Sequence, residues 1–265
     1  MKTLWLCLPA YNEERSLPAL LERCRPVAAA LAATGRRLRV VVVDDGSSDG
    51  TIRAAQEFAE SPGVDIVPHG TNRGLGAALR TIVAAGLERA DDGDVIATMD
   101  ADNTHDPAIL PQLWERLEQA DADVVIASRY APGGDEIGLS PLRRVLSRGA
   151  SFLLGLTVPV AGARDYTCGY RVYRAATLRR AALAWGPRLL EESGFTCMAE
   201  LLLKLGRLGA RVVEGPLVLR YDRKEGASKM KVLRTIARYF SLIRRLRREP
   251  VPPGFVPGSV GAPRA

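Results

Sequence analysis

Residues 95–107, VIATMDADNTHDP, set two aspartates one residue apart at the end of a short apolar run. In extended backbone alternate side chains share a side, so Asp100 and Asp102 present their carboxylates together. Hard divalent cations take oxygen ligands and are usually completed by substrate phosphates, so this spacing suits one such ion. D-x-D alone also occurs at ordinary strand ends decorated with solvated acids, and its weight comes from three further polar loops. These are PAYNEE at 9–14, DDGSSDGT at 44–51 and HGTNRGLGAAL at 69–79. An Asx-turn feeding a capped helix explains the Ser, Asp and Gly of the second loop, but not two adjacent acids, Asp44 and Asp45, closing a valine run. Glu13 can be read as a plain helix-start acid. NRGLG opens a helix but lacks the third glycine and the first-strand position of a dinucleotide fingerprint.

The elements that must position these residues follow from periodicity. Apolar runs at 4–8, 39–43, 65–68, 95–99 and 123–127 predict strands. Helical patterns at 16–33, 51–60, 74–90 and 107–118 alternate with them. This order predicts an α/β protein with a mostly parallel sheet and helices on both faces, whose ligands bind beyond the carboxyl ends of the strands. All four polar loops fall on that rim. Further on, the spacing predicts an arginine-dotted helix at 142–156, a short apolar helix at 198–205, a strand at 211–220 and a helix at 229–248. The organisation read from the chain is one domain over 1–228, a basic amphipathic helix over 229–249, and a Pro- and Gly-rich tail over 250–265 expected to be disordered.

At 265 residues the chain can bury a full core. Its net charge of +7 conceals an asymmetry: residues 1–130 hold 13 Lys/Arg and 20 Asp/Glu, net −7, and residues 131–265 hold 24 and 10, net +14. One half suits a cation and the other an anion such as phosphate or an anionic membrane. The basic half carries no recognised nucleic-acid motif or aromatic stacking signature, so nucleic acid is not an expected partner. Four cysteines without metal-type spacing read as reduced thiols of a cytoplasmic protein, and two histidines are too few for a histidine metal cluster. The apolar start is cut by Pro9 and reads as a first strand, not a signal peptide. The best candidate for a membrane span, 152–163, falls short of the ~20 apolar residues required.

PAYNEE, VDDGSSDGT, NRGLGAAL, DAD, SRY (128–130), DYTCGYRVYR (165–174) and GASKM (226–230) together resemble, in order, the motifs of inverting family 2 glycosyltransferases with a GT-A (Rossmann-like) fold. The pattern looks most like the dolichol-phosphate mannose synthase branch, which glycosylates polyprenyl phosphates, and covers about residues 3–245. The resemblance implies a nucleotide-sugar donor, GDP-mannose or a UDP-sugar, held by Pro9, Ala10, Tyr11, Asn12, Glu13, Asp44, Asp45, Gly46, Asn72, Gly74, Asp100 and Ala101. It implies Mg²⁺ or Mn²⁺ on Asp100 and Asp102. Relatives often carry glutamine two residues further on; here Thr104 stands there, and its hydroxyl would serve directly or through water. Arg129, Arg148, Arg171, Ser228 and Lys229 match acceptor-side motifs and would converge on the acceptor phosphate, with Asp100, Asp102 and Arg129 carrying catalysis. Glu200 matches an acid the family often carries. The polyprenyl phosphate acceptor implies work at a membrane.

Two alternatives accompany this reading. A family 2 transferase acting on a soluble hydroxyl acceptor needs a carboxylate base, for which Glu200 and Glu192 are the candidates; a non-catalytic subunit would recruit a membrane partner. In the 229–248 helix, Val232, Leu233, Ile236, Phe240, Ile243 and Leu246 share one side, and Lys231, Arg234, Arg238, Arg244, Arg245, Arg247 and Arg248 lie largely elsewhere. The expectation is a peripheral helix on anionic lipid, each basic residue contributing ~1 kcal/mol, with a separate membrane-anchoring protein left open. The competing reading is a helix docked on its own protein with a solvated basic face.

Overall fold

The computed structural model describes residues 1–224 and 232–252. A seven-stranded sheet forms its centre, in the order β3-β2-β1-β4-β7-β5-β8. The strands are β1 (Thr3–Ala10), β2 (Arg37–Asp44), β3 (Val64–Pro68), β4 (Val95–Thr98), β5 (Val124–Ser128), β7 (Arg171–Arg174) and β8 (Val212–Pro216). All neighbours are parallel except β7, which runs antiparallel to both β4 and β5. Helices α1 (Ser16–Ala33), α2 (Thr51–Gln56), α3 (Leu75–Arg89), α4 (Leu110–Gln119), α6 (Ala175–Trp185) and α7 (Thr196–Arg207) accompany the strands. With both faces covered, central strands are apolar at successive positions rather than alternate ones. Leu6, Cys7 and Leu8 of β1 and Val40–Val43 of β2 are all fully buried. Four buried cysteines belong to this core, their thiols pushed up to about 12 chiefly by burial, which keeps them protonated and inert.

The mostly parallel sheet stands as expected. Three local readings change. The 51–60 helix is shorter. The strand read over 211–220 is two: β8 joins the main sheet, and β9 (Val218–Arg220) pairs in parallel with β6 (Asp135–Ile137) in a separate two-stranded sheet. The break falls at Pro216, the last residue of β8, which has no N–H to continue the ladder. Strand β7 and helix α6 were not visible as elements, since β7 is four residues long and carries arginine at both ends. Its insertion between β4 and β5 sets those two strands apart.

Helix α5 (Pro141–Thr157) and helix α8 (Val232–Arg248) pack against each other beside that rim, and α8 also packs on α7. Tyr239, Leu242, Ile243 and Leu246 of α8 are buried, so the helix is docked on its own protein. Phe240, grouped with that apolar side in the sequence, is exposed.

Candidate active site

At the carboxyl rim a single cleft of about 530 Å³ is walled by the loops after β1, β2, β3 and β4, by α5, and by the segment after β9. Such concave sites, apolar with a few convergent polar groups, are where ligands bind. Pro9, Ala10, Tyr11, Glu13, Asp45, Asn72, Gly74, Asp100, Ala101, Asp102, Thr104 and Arg129 all line it, bringing together most of the donor and metal residues read from the sequence.

Asn12, Asp44 and Gly46 do not line the cleft and instead build its loops. Asn12 takes a left-handed backbone (φ 52°), as asparagine tolerates, and ties two loops: its N–H donates to Ser47 Oγ at 2.9 Å and its Oδ1 accepts from Ser48 N at 2.9 Å. Gly46 has φ 74°, and a Cβ there would lie 2.3 Å from the Thr71 carbonyl carbon, so only glycine lets the second loop cross the third. Asp44 caps Ser47 N with one oxygen, and the other is buried without a partner. Asp45 accepts from Arg73 N at 3.0 Å, from Gly74 N at 2.8 Å, and lies 2.8 Å from His69 Nδ1, so it fixes the NRGLG turn as well as facing the cleft.

Asp100 and Asp102 project into the cleft from the loop after β4. Arg23 of α1 pins that loop from below, its Nη2 donating to Asn103 Oδ1 at 2.5 Å and His105 O at 2.9 Å, where Asn103 takes φ 65°. The two acids differ. Asp100 has a side chain 43 % exposed, and the surrounding cleft walls, then Asp102, raise its carboxyl above the usual range against the pull of His105 and Lys224. Burial alone would raise Asp102 too, but the ammonium of Lys224 in contact with it prevails and holds it below that range. Thr104 donates its hydroxyl to Asp102 Oδ1 at 2.6 Å and so orients that carboxylate. Among the described residues no third His, Cys, Asp or Glu completes a metal cluster. Two oxygen-donor carboxylates at a cleft floor, one already drawing a cation, nevertheless fit a hard divalent ion whose other ligands come from a diphosphate.

The acceptor-side arginines separate. Arg129 lines the cleft but is already paired: Nε and Nη2 grip both oxygens of Asp165 at 2.7 and 2.6 Å, and Nη1 donates to Glu136 at 3.1 Å. Burial disfavours its charge, but Asp165 outweighs that and keeps its pKa above the ordinary value. Arg171 is fully buried within β7 and donates to Met198 O and Tyr166 O, so it braces the core and cannot meet an acceptor. Arg148 is exposed, beside the Tyr130 ring and 3.9 Å from Glu136, and does not line the cleft. Ser228 and Lys229 lie outside the described residues. The sequence reading missed Arg143 and Ser147, one helical turn apart on α5 and both in the cleft wall; Arg143 donates to Tyr221 Oη at 2.6 Å. Tyr221, Lys224 and Tyr239 were missed as well. An i, i+4 count from Arg143 joins it to Ser147, but that spacing alone does not say which side of α5 meets the cleft.

Glu200 and Glu192, the candidate bases, do not line the cleft. Glu200 is fully buried and accepts from Glu191 N, Glu192 N, Lys204 Nζ and Arg245 at 2.8–3.0 Å. Glu192 accepts from Thr196 Oγ1 at 2.7 Å and from Arg245 at 2.9 Å. Both hold the segment whose Ser193 O accepts from Gly76 N at 3.2 Å, where a Cβ on Gly76 would meet Glu192 O at 2.0 Å.

The sheet order, with one antiparallel strand inserted and an acidic D-x-D loop on its rim, defines a GT-A-like α/β fold. The chain belongs to glycosyl transferase family 2, whose model matches residues 5–184, and is thus a glycosyltransferase. It is 38% identical over 228 residues to an undecaprenyl-phosphate mannosyltransferase of Micrococcus luteus, covering 84% of this chain and 85% of that one. It is 35% identical over 229 residues to a polyprenol monophosphomannose synthase of Mycolicibacterium smegmatis, covering 84% and 79%. In fold it is similar to glucosyl-3-phosphoglycerate synthase from Mycobacterium tuberculosis, solved in complex with Mn²⁺, UDP and phosphoglyceric acid. That likeness has a TM-score of 0.61 at 20% identity and covers 93% of this chain and 76% of that one.

Proposed function

We propose that this glycosyltransferase moves a mannosyl group from GDP-mannose to a polyprenyl phosphate at an anionic membrane surface, with Mg²⁺ or Mn²⁺ held by Asp100 and Asp102. The relatives' names support the sugar and the acceptor class. One observation carries the acceptor reading: α5 turns Arg143 and Ser147, beside Leu146 and Ala150, to the cleft and an apolar stripe outward. In that stripe Leu142, Val145, Phe152 and Leu156 are 67–73 % exposed. A helix that places an arginine and a serine in the cleft and shows an apolar stripe outward suits a phosphate head inside and lipid outside.

The four rim loops hold the nucleotide and turn the sugar toward the α5 wall. When bound, the divalent cation would act as a Lewis acid on the departing diphosphate. A phosphate monoester is largely ionised at neutral pH, its second pKa being about 6, so its oxygen attacks the anomeric carbon without a protein base. Arg143, with its forked donors, and Ser147 orient that phosphate, so positioning carries much of the rate. The soluble-hydroxyl alternative needs a base in the cleft, and neither Glu200 nor Glu192 reaches it.

Association with the membrane rests on α5 rather than on the basic side of α8. Arg245 of α8 is turned inward onto Glu191, Glu192 and Glu200. Among the described residues no helix is long and apolar enough to cross a membrane. Surface contact, or a separate anchoring protein, would bring the chain to its acceptor. Incubation with labelled GDP-mannose or UDP-sugars, Mn²⁺ and a membrane lipid extract tests the reading. Label from GDP-mannose in the lipid fraction is expected; label confined to water-soluble product overturns the acceptor class.

A further inference from the structure

Lys224 sits in the wall of the cleft directly against the metal loop. Its ammonium contacts Asp102 Oδ2, with both side chains only 14 % exposed, and lies 5.8 Å from the centre of the Tyr221 ring. The other oxygen of Asp102 is taken by the hydroxyl and N–H of Thr104. Asp102 is therefore fully engaged, whereas Asp100 is open to the cleft, with His105 Nδ1 3.9 Å from its Oδ2. The contact is built, because the segment bearing Lys224 is tied to the same loop at two further points. Arg220 N donates to Thr104 O at 2.9 Å, and Arg223 lies 3.8 Å from Asp106.

We infer that Lys224 is the resident counter-cation of Asp102, displaced when a divalent ion takes that carboxylate and then paired with the diphosphate of the donor. The inference rests on the metal-dependent reading above. A divalent ion arriving alone must strip Asp102 of its ammonium and leave that ammonium half-buried beside a like charge. When a diphosphate arrives too, the displaced ammonium gains an anion at hydrogen-bonding range. Metal and nucleotide thus help each other bind through one side chain, and the help is reciprocal by thermodynamic linkage. A lone metal ion would be bound weakly until the nucleotide is present, which keeps the site from being filled unproductively.

The test is Mn²⁺ binding, by calorimetry or by the electron paramagnetic resonance of free Mn²⁺, with and without GDP. Wild type is compared with Lys224→Met, Lys224→Gln and Lys224→Arg. In the two neutral variants Mn²⁺ alone is expected to bind about tenfold more tightly than in wild type. The factor by which GDP tightens Mn²⁺ is expected to shrink about as much, changes within the usual range of couplings. Lys224→Arg keeps a cation there and should stay close to wild type in both. If Lys224→Met and Lys224→Gln bind Mn²⁺ alone no more tightly than wild type, the inference is wrong and the metal reading survives. If wild type takes up no Mn²⁺ even with GDP, the metal reading fails and this inference falls with it.

Discussion

Two carboxylates one residue apart do different work at this site. Asp100 is open to the cleft, while Asp102 is oriented by Thr104 and neutralised by Lys224. Asp102→Ala removes the oriented carboxylate at a loop, not in the core. It is expected to abolish metal-dependent donor binding and to lower transfer by ~10²–10³-fold, the order lost with one transition-state electrostatic contact. The thermal midpoint should stay within a few degrees of wild type. Undiminished transfer by the variant, or by wild type in excess chelator, would sink the metal assignment. Glu200 belongs to a different class of residue. Four donors surround it, and its charge is matched by Lys204 and Arg245. Glu200→Gln should lose ~3–5 kcal/mol of stability, the usual result of breaking one side of a buried pair. The fraction that remains folded at low temperature should still turn over, with an unchanged pH profile. Loss of turnover at full stability with both substrates bound would instead identify a base.

At the scale of elements, the apolar face shown outward belongs to α5 and not to α8, the helix expected on lipid. The basic α8 buries Tyr239, Leu242, Ile243 and Leu246 and clasps three acids through Arg245, while α5 turns its apolar stripe outward. Phe152 is 73 % exposed, so Phe152→Asp should leave stability within ~0.5 kcal/mol of wild type, as for most surface changes. The same variant should float less with vesicles containing anionic lipid. Vesicle flotation decides it: equal flotation of variant and wild type at low salt removes α5 from the membrane face. Arg245→Glu, by contrast, sets a fourth acid among Glu191, Glu192 and Glu200, and its first effect should be on stability.

For the whole molecule, the Arg129–Asp165 pair joins the end of β5 to the segment before β7, with Glu136 of the small sheet on the same guanidinium. Burial would raise the Asp165 carboxyl, but Arg129 overcomes that and holds it below the ordinary range. A carboxylate depressed in the folded state contributes stability that is fully present above its unfolded pKa, near ~3.9. That contribution is lost as pH falls through the lower folded value. Denaturant melts of wild type and Asp165→Asn should therefore differ fully at neutral pH. The gap should close only below about pH 4; a gap independent of pH down to 2 would remove the ion pair as its cause.

The sheet was legible in the sequence because buried parallel strands and amphipathic helices leave local periodicities that survive without knowledge of their neighbours. For the same reason the donor rim could be read: each of its four loops follows its own strand, so placing Asp45, Asn72, Asp100 and Asp102 together required only strand order in the ordinary sense. What the tertiary structure decided depends on partners distant in the chain. Arg171 stood in a motif with acceptor-side chemistry, yet β7 slots between β4 and β5 and buries it. Lys224 reaches Asp102 across 122 positions, which no local pattern encodes. That α8 docks on the protein and that α5 turns an apolar stripe outward were not legible for one physical reason. Periodicity tells which residues share a side of a helix, but only the surroundings tell whether that side meets core, cleft or the outside.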